Sequence, residues 1–584
     1  MKNTIKKGAG LLVLLSCITF ACKDQFLDVL PTGQLGATQL TSTAGLDGLL
    51  LSAYSQLNAR GYSQSASSNN WVRGSISGGE ANKGSNSGDF NALTPFQRYE
   101  LQSASGEVNA KWRAMYEGVS RANAVLRTMA TADASVSADD KKRITGEARF
   151  LRGHYYFELK RAFNMVPYVD ETTDYVLGVT TGVVEVGNGT DIWPKLEADF
   201  KFAYDNLAET QGAAGRANKW AAASYLAKTY LYQKKYTDAK TLFDLIIANG
   251  KTANGKKYGL VAKYANVFNA EFDNNEESIF AIQAAANAGS SDNANPDLVL
   301  NFPYNTGSNG PAGCCGFFQP SFELANSFRT NANGLPLLDG SYNTGANQLK
   351  TDQGIKSADA FTPDTGPVDP RLDHSVGRRG VPYLDWQPHP GLDWIRDQGF
   401  GGPYSPKKFI FYKSQDKTLT DGSSWTDGYS AINYNVIRYA DVLLMAAEAE
   451  IEVGTLEKAR EYVNLVRKRA SDPASFVKTT DGKNAANYVI NTYATAFTDK
   501  AAARTAVYFE RKLELSGEGH RFYDLVRWGI ASTALNAYLA YESPLLPTGF
   551  LGAKFTAGKD EYMPIPQTQI DLQKGLLKQN PGYN

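Results

Sequence analysis

Leu456-Glu457-Lys458-Ala459-Arg460-Glu461-Tyr462-Val463-Asn464-Leu465-Val466-Arg467-Lys468-Arg469-Ala470 is the stretch that decides the fold class. Leu456, Ala459, Val463, Val466 and Ala470 fall three, four, three and four residues apart, which places them on one buried face of a helix. Tyr434 to Val453 precedes it and reads as the first arm of a helical hairpin. An earlier hairpin has the same build. Asn218 to Gln233 and Thr237 to Asn249 flank Tyr236, with Ala239, Leu242, Phe243, Ile246 and Ile247 as one apolar stripe. Each pair approaches the length of a tetratricopeptide unit, about 34 residues. The expectation is a mostly α fold, with a tetratricopeptide-like scaffold of helical pairs.

Working outward, more helices belong to that frame. Helical periodicity begins near Leu46 and runs through Leu49, Leu50, Tyr54 and Leu57. Val108 to Met129 carries Trp112, Tyr116, Val119 and Val125, and Asp191 to Leu207 is a further helix. Ser137 and Asp140 make a capping-box start for a helix that continues to Phe163. Gly61 to Ser105 is rich in Ser, Asn and Gly and reads as loop. Roughly Gln283 to Ser430 changes texture, with Gly, Pro, Asn and Asp dominant and only short apolar runs such as Phe409 to Tyr412 to serve as strands. That is too long for a structureless loop in a compact domain. It reads as an irregular, loop-rich subdomain (about 283–430) on a helical scaffold (about 41–282 and 431–584), together one domain over 41–584.

The chain opens with Lys2, Lys6 and Lys7, an apolar run from Gly8 to Ala21, then Cys22-Lys23-Asp24. The run is too short for a permanent membrane span and reads as a lipoprotein signal peptide, 1–21, removed to leave Cys22 for lipidation. Two or more acyl chains hold a protein on a membrane. Leu14-Leu15-Ser16-Cys17 fits the local cleavage pattern better, but would leave Ile18 to Ala21 as an exposed apolar tail. An ordinary secretory signal without lipid is the plainer alternative. Residues 22–40 read as an extended leader. Charge is balanced at 60 basic and 60 acidic residues, which argues against a nucleic-acid partner. Beyond Cys22 the only cysteines are Cys314 and Cys315, adjacent and given a structural role at most, so packing holds the fold.

Several blocks of text, in order, resemble the SusD/RagB family. They include Phe26-Leu27-Asp28 with Pro31, Gly146-Glu147-Ala148-Arg149-Phe150-Leu151-Arg152 and Asn435-Val436-Ile437-Arg438-Tyr439-Ala440-Asp441. Asn464 to Ala470, Glu510-Arg511, Glu514-Leu515, Glu518-Gly519, Asp524-Leu525-Val526-Arg527-Trp528-Gly529, Met563-Pro564-Ile565-Pro566-Gln567 and Gln579-Asn580-Pro581-Gly582-Tyr583 complete the series. The resemblance implies a SusD-like, lipid-anchored protein of the outer membrane, exposed at the cell surface. Such proteins sit as a lid on a SusC-like TonB-dependent transporter and capture oligosaccharides, or in some relatives peptides. Cys22-Lys23-Asp24 also looks like the acidic-flanked surface signal of such bacteria.

Candidate chemistry divides between catalysis and binding. Glu510, Glu514 and Glu518 share one helix face at a spacing near that of glycosidase carboxylate pairs. Arg511, Arg521 and Arg527 stand close by to hold them ionised, so structural ion pairs are favoured and no catalytic residue is assigned. Gly250 to Lys256 nearly spells a phosphate loop, but Lys257 stands where Ser or Thr is required, so it reads as a turn. His154, His374, His389 and His520 are scattered, and Asp273 to Glu277 reads as a solvated turn, so neither a metal nor a cofactor is expected. A sugar ring offers an apolar C–H face to a flat aromatic and a rim of hydroxyls to amides and guanidinium groups. Three clusters supply such pairs: Asn69, Asn70 and Trp71; Phe302, Tyr304 and Asn305; and Trp386, Trp394 and Arg396 around His389. Two or three of these aromatics should be exposed and face one shallow groove. The function expected is non-catalytic glycan capture for a transporter. The rivals are an oligopeptide-binding uptake protein, a glycan-degrading enzyme and a scaffold without a small ligand.

Overall fold

The computed structural model describes residues 37–173 and 186–583, so Cys22 lies outside the described residues. The frame is a succession of helices: α1 Thr43–Ser55, α2 Gly106–Met129, α3 Ala138–Phe163, α4 Trp193–Asn206, α5 Lys219–Tyr232 and α6 Tyr236–Asn249. It resumes with α7 Tyr439–Val453, α8 Leu456–Ala470, α9 Lys500–Glu514, α10 Arg521–Arg527 and α11 Ala531–Glu542. From α1 to α8 each helix packs on the next, and α9 packs on both α7 and α8. The starts are set by short polar residues. Ser137 Oγ accepts from the Asp140 amide at 3.0 Å, Asn218 from Ala221 at 2.8 Å and Thr455 from Lys458 at 3.1 Å. The stripe on α8 is seated as its spacing predicts, with Ala459, Val463, Val466 and Ala470 buried.

One arm differs from its reading. Tyr434–Arg438 is a strand, and the helix starts only at Tyr439. The cause is distant in sequence: this strand, β6, pairs antiparallel with β2, Ser278–Ile282, with Ser278 opposite Arg438 and Ile282 opposite Tyr434. Tertiary pairing overrides local pattern there. The β2–β6 ribbon is also the root of the irregular region, since the chain leaves the frame at one strand and returns at the other. α6 and α7 then meet as neighbours, with Lys240 on Glu450 at 3.0 Å.

Two other stretches are corrected. Gly61 to Ser105 is mostly buried and partly regular: a π-helical turn at Trp71–Ile76, strand β1 at Ala81–Gly84 and a short helix at Thr94–Arg98. β1 pairs antiparallel with β3, Phe317–Pro320, which ties this stretch to the irregular region. Phe409 to Tyr412 is no strand, because Phe409 turns the chain at φ 61°. Strands β4, Val376–Gly377, and β5, Ser405–Pro406, form a two-residue ribbon instead.

Candidate functional site

The glutamates of α9 and the turn after it are sealed within the frame. Arg371 donates to Glu510 at 2.7 Å and to Glu514 at 2.9 Å, and Arg467 to Glu510 at 2.8 Å. Arg438 donates to Glu514, Glu518 and Glu277, each at 2.7 Å, Lys408 to Glu518 at 2.8 Å, and Arg469 pairs with Glu514. Burial alone would raise the Glu514 and Glu518 carboxyls. The facing guanidinium groups of Arg469, Arg438 and Arg371 outweigh it at Glu514, and Arg438 and Lys408 at Glu518, so both are held below the ordinary range. The reading as ion pairs stands, but the partners differ from those the sequence suggested. Arg511 is spent on Asp441 and Asp524, and Arg527 on Glu448 and Asp524. Asp273 accepts from the Asn433 amide and Glu277 from Arg438, while Lys251 to Lys257 is a turn closed by a β-bridge. Burial lowers His154, His374 and His520 to about 4 and His389 to about 3, which keeps the imidazoles neutral.

The predicted aromatic clusters separate into interior and rim. Trp71 is 1 % exposed and meets Phe318 edge-on, 5.8 Å between ring centroids. Its amide neighbours are equally committed. Asn69 Oδ1 accepts from the Trp71 amide, while Asn70 Nδ2 donates to Glu158 at 2.9 Å and Asn70 Oδ1 accepts from Lys111 at 3.2 Å. This cluster, read as a sugar platform, braces the core. Phe302, 1 % exposed, and Trp394, 3 %, are likewise floor residues. Trp394 packs edge-on against Tyr383 and His389, and Gly310 lies so close that a Cβ there would stand 2.5 Å from the indole.

What remains is a rim around the Asn305–Gly316 loop. Tyr304 is half-buried, with the Arg396 guanidinium 5.2 Å from its ring centroid, and Asn305 and Arg396 are exposed. Arg396 is oriented by Ser85 Oγ at 3.0 Å and by Asp89 at 2.5 Å. Trp386 is half-buried; its Nε1 donates to the Phe411 carbonyl at 3.2 Å, and Phe411 in turn lies 5.7 Å from Phe302. Reasoning from sequence did not single out Trp425, which is 61 % exposed and stands on a tight hairpin closed by the Thr420–Ser430 bridge. The signal was present: Gly422-Ser423-Ser424-Trp425-Thr426-Asp427-Gly428 is otherwise polar, and Tyr429, 6.3 Å away between ring centroids, meets the indole edge-on. Thr426 Oγ1 donates to the Ala312 carbonyl at 3.4 Å, so the Trp425 hairpin and the Asn305–Gly316 loop adjoin. These adjoining segments, the lip, carry an exposed indole and an exposed amide, with the Tyr304 phenol and Arg396 guanidinium paired nearby. A separate open groove of about 510 Å³ runs beside α1, lined by Leu51, Tyr54, Leu57 and Arg60 among others, and takes in none of the predicted residues.

A helical-pair frame carrying an irregular, aromatic-rimmed region defines a class of binding scaffold, and comparison with known proteins specifies it. The model of the SusD family matches residues 276–583, and a second, described as starch-binding associating with outer membrane, matches 25–231. The chain belongs to the SusD family. A SusD-like protein of Formosa agariphila is 27 % identical over 457 residues, covering 75 % of each chain. Among solved structures, a SusD superfamily protein of Bacteroides vulgatus superposes with TM-score 0.66 at 21 % identity, over 93 % of this chain and 99 % of that one. A laminarin-binding SusD-like protein gives 0.65 at 24 % identity, over 92 % and 99 %. Surface glycan-binding protein A of Bacteroides thetaiotaomicron, solved with laminarihexaose, gives 0.63 at 20 % identity, over 92 % and 99 %. These likenesses agree with the mostly helical frame described above.

Proposed function

We propose that this protein is a non-catalytic glycan-capture lipoprotein of the outer-membrane surface. Anchored through acylated Cys22, it holds oligosaccharides for a SusC-like TonB-dependent transporter. The observation that carries the reading is the outer lip. Trp425 is largely exposed on a hairpin that adjoins the Asn305–Gly316 loop, Arg396 lies over the Tyr304 ring, and Trp386 stands further along the same subdomain. Flat apolar faces next to amide and guanidinium donors match a sugar's C–H face and hydroxyl rim. The laminarin-binding SusD-like protein and the glycan-binding protein solved with laminarihexaose, both similar in fold, support the same class of ligand. Catalysis finds no support in Glu514 and Glu518, which are buried and held below the ordinary carboxyl range where an acid catalyst needs a raised value.

The test is affinity electrophoresis of the purified protein through gels containing laminarin, starch, xylan or pectin, with a reducing-sugar assay on the same mixtures. Retardation by at least one glycan without reducing-end release is the expected result. Migration unchanged in every gel would overturn the glycan reading, and sugar release would replace capture with hydrolysis.

A further inference from the structure

We propose that the Cys314–Cys315 disulfide is a positioning element of this lip, a clasp whose opening weakens glycan binding while leaving the frame folded. The inference rests on the glycan reading given above. Its geometric basis is independent of any ligand.

The two adjacent cysteines are joined to each other, closing a small ring in the middle of the lip. Beside that ring the backbone is left-handed at Ala312, φ 62°, Gly313, φ 67°, and Gly316, φ 79°. For Ala312 this costs about 1–2 kcal/mol, and such a position persists only where its surroundings hold it. Asn305, the neighbour of Trp425 and the serine that orients Arg396 each bond to a backbone atom of this short stretch, whereas the Tyr304 amide donates to the Trp394 carbonyl at 3.0 Å. The Ala312 carbonyl takes the hydrogen bond of Thr426, the neighbour of Trp425. The Gly313 carbonyl accepts from the Asn305 amide at 3.2 Å. Gly316 donates to the Phe302 carbonyl at 2.9 Å, and its own carbonyl accepts from Ser85, whose hydroxyl orients Arg396. A Cβ on Gly316 would meet Tyr304 Cβ at 3.2 Å and Arg396 Cβ at 3.8 Å. The stretch that contains the ring therefore ties together the Trp425 hairpin, Asn305 and, through Ser85, Arg396.

Cys314 is half-buried and Cys315 is buried, so a small dithiol reaches the bond from the Cys314 side. Its thiolate attacks a sulfur, the S–S bond breaks and a mixed disulfide forms. That step frees one protein thiol; the second thiol of the reagent then attacks the mixed disulfide and frees the other, leaving an oxidised, cyclic reagent, so that two electrons and two protons pass to the protein overall. Freed of the ring, the 312–316 backbone leaves its left-handed conformations and the lip residues lose their fixed spacing. A site that must be ordered on binding holds its ligand more weakly than one already ordered.

Affinity for laminarin and for soluble starch is measured on the full chain in detergent in four forms: oxidised, reduced with dithiothreitol, Cys314→Ser/Cys315→Ser, and Trp425→Ala. Expected is a five- to tenfold loss on reduction and in the double variant. The melting temperature should stay within about 2 °C, and reoxidation should restore affinity in the native chain but not in the double variant. Full affinity after reduction, with Trp425→Ala impaired, overturns the clasp and leaves the glycan reading standing. Lost affinity accompanied by a large fall in melting temperature makes the disulfide a general stabiliser and also overturns it. If the oxidised protein binds neither these two glycans nor any other of the gel panel, the glycan reading fails and the clasp with it.

Discussion

Replacing Arg438 by Met should expose how far the interior depends on compensated charge. The guanidinium makes five hydrogen bonds: to Glu518 through Nε and Nη2, to Glu277 and Glu514 through Nη1, and to the Glu514 carbonyl through Nη2. Each carboxylate keeps at least one other cation, namely Lys408 on Glu518, Arg469 on Glu277, and both Arg371 and Arg469 on Glu514. The substitution therefore leaves one negative charge in excess in the interior. Removing one member of a buried ion pair costs about 3–5 kcal/mol. The pH dependence follows from the carboxyls. In the native protein burial favours the neutral form, but the facing cations win and hold Glu514 and Glu518 below their unfolded values. The stability they contribute is therefore present above the unfolded value, about 4.3, and is lost as the pH falls through the folded values. In Arg438→Met those carboxyls rise, and protonation relieves the excess charge. The gap between the two proteins should be widest at neutral pH and shrink towards about pH 4. Urea unfolding followed by tryptophan fluorescence at both pH values reads this directly. A loss below about 1 kcal/mol at neutral pH, or a gap that widens on acidification, would refute the account of the network.

Other consequences can be checked alongside. Trp425→Ala should lower glycan affinity about five- to thirtyfold without moving the melting temperature, since the ring stands in solvent and a stacked aromatic contact contributes about 1–2 kcal/mol. Trp71→Ala should do the reverse, costing about 3–5 kcal/mol of stability through the cavity it leaves. Gly519→Ala should destabilise by more than about 1 kcal/mol, because the residue sits at φ 71° with the Asn69 carbonyl 2.2 Å from where a Cβ would be placed; a thermal melt suffices. Cys22→Ala should abolish incorporation of labelled palmitate and release the protein from the membrane fraction, whereas labelling that persists would reassign the acylated residue to Cys17.

The parts of the fold that could be read from sequence are those set by neighbours along the chain. The hairpins α5–α6 and α7–α8 announce themselves because a helix buries one stripe, and that stripe recurs every three or four residues. β6 was invisible for the complementary reason: its strand character comes from β2, far upstream, and not from Tyr434–Arg438 itself. The site divided along the same line. Asn69-Asn70-Trp71 has the chemistry of a sugar platform, yet Lys111 and Glu158, which claim the Asn70 amide, lie on α2 and α3. Phe302 and Trp394 looked equally suitable until Gly310 and Phe411 closed over them. Asn305 and Arg396 lie at the surface, and Tyr304 half-buried beside them, because they border turns that stay there. Trp425 was legible only by asking which aromatic stands in an otherwise polar stretch.

The β2–β6 ribbon has a consequence for how the chain reaches its native state. α6 must meet α7 across the whole span from Gly250 to Arg438, so the second half of the frame has nothing to dock against until that excursion has been synthesised and its two ends brought together. Closing so long a loop costs entropy that is recovered only when the distant contacts form. Folding should therefore proceed in two acts, an early one among α1 to α6 and a later one in which the ribbon zips and recruits α7 to α11. The same arrangement makes the excursion a participant in the later act, because its Arg371 and Lys408 bring the cations that Glu510, Glu514 and Glu518 must meet before the interior can close.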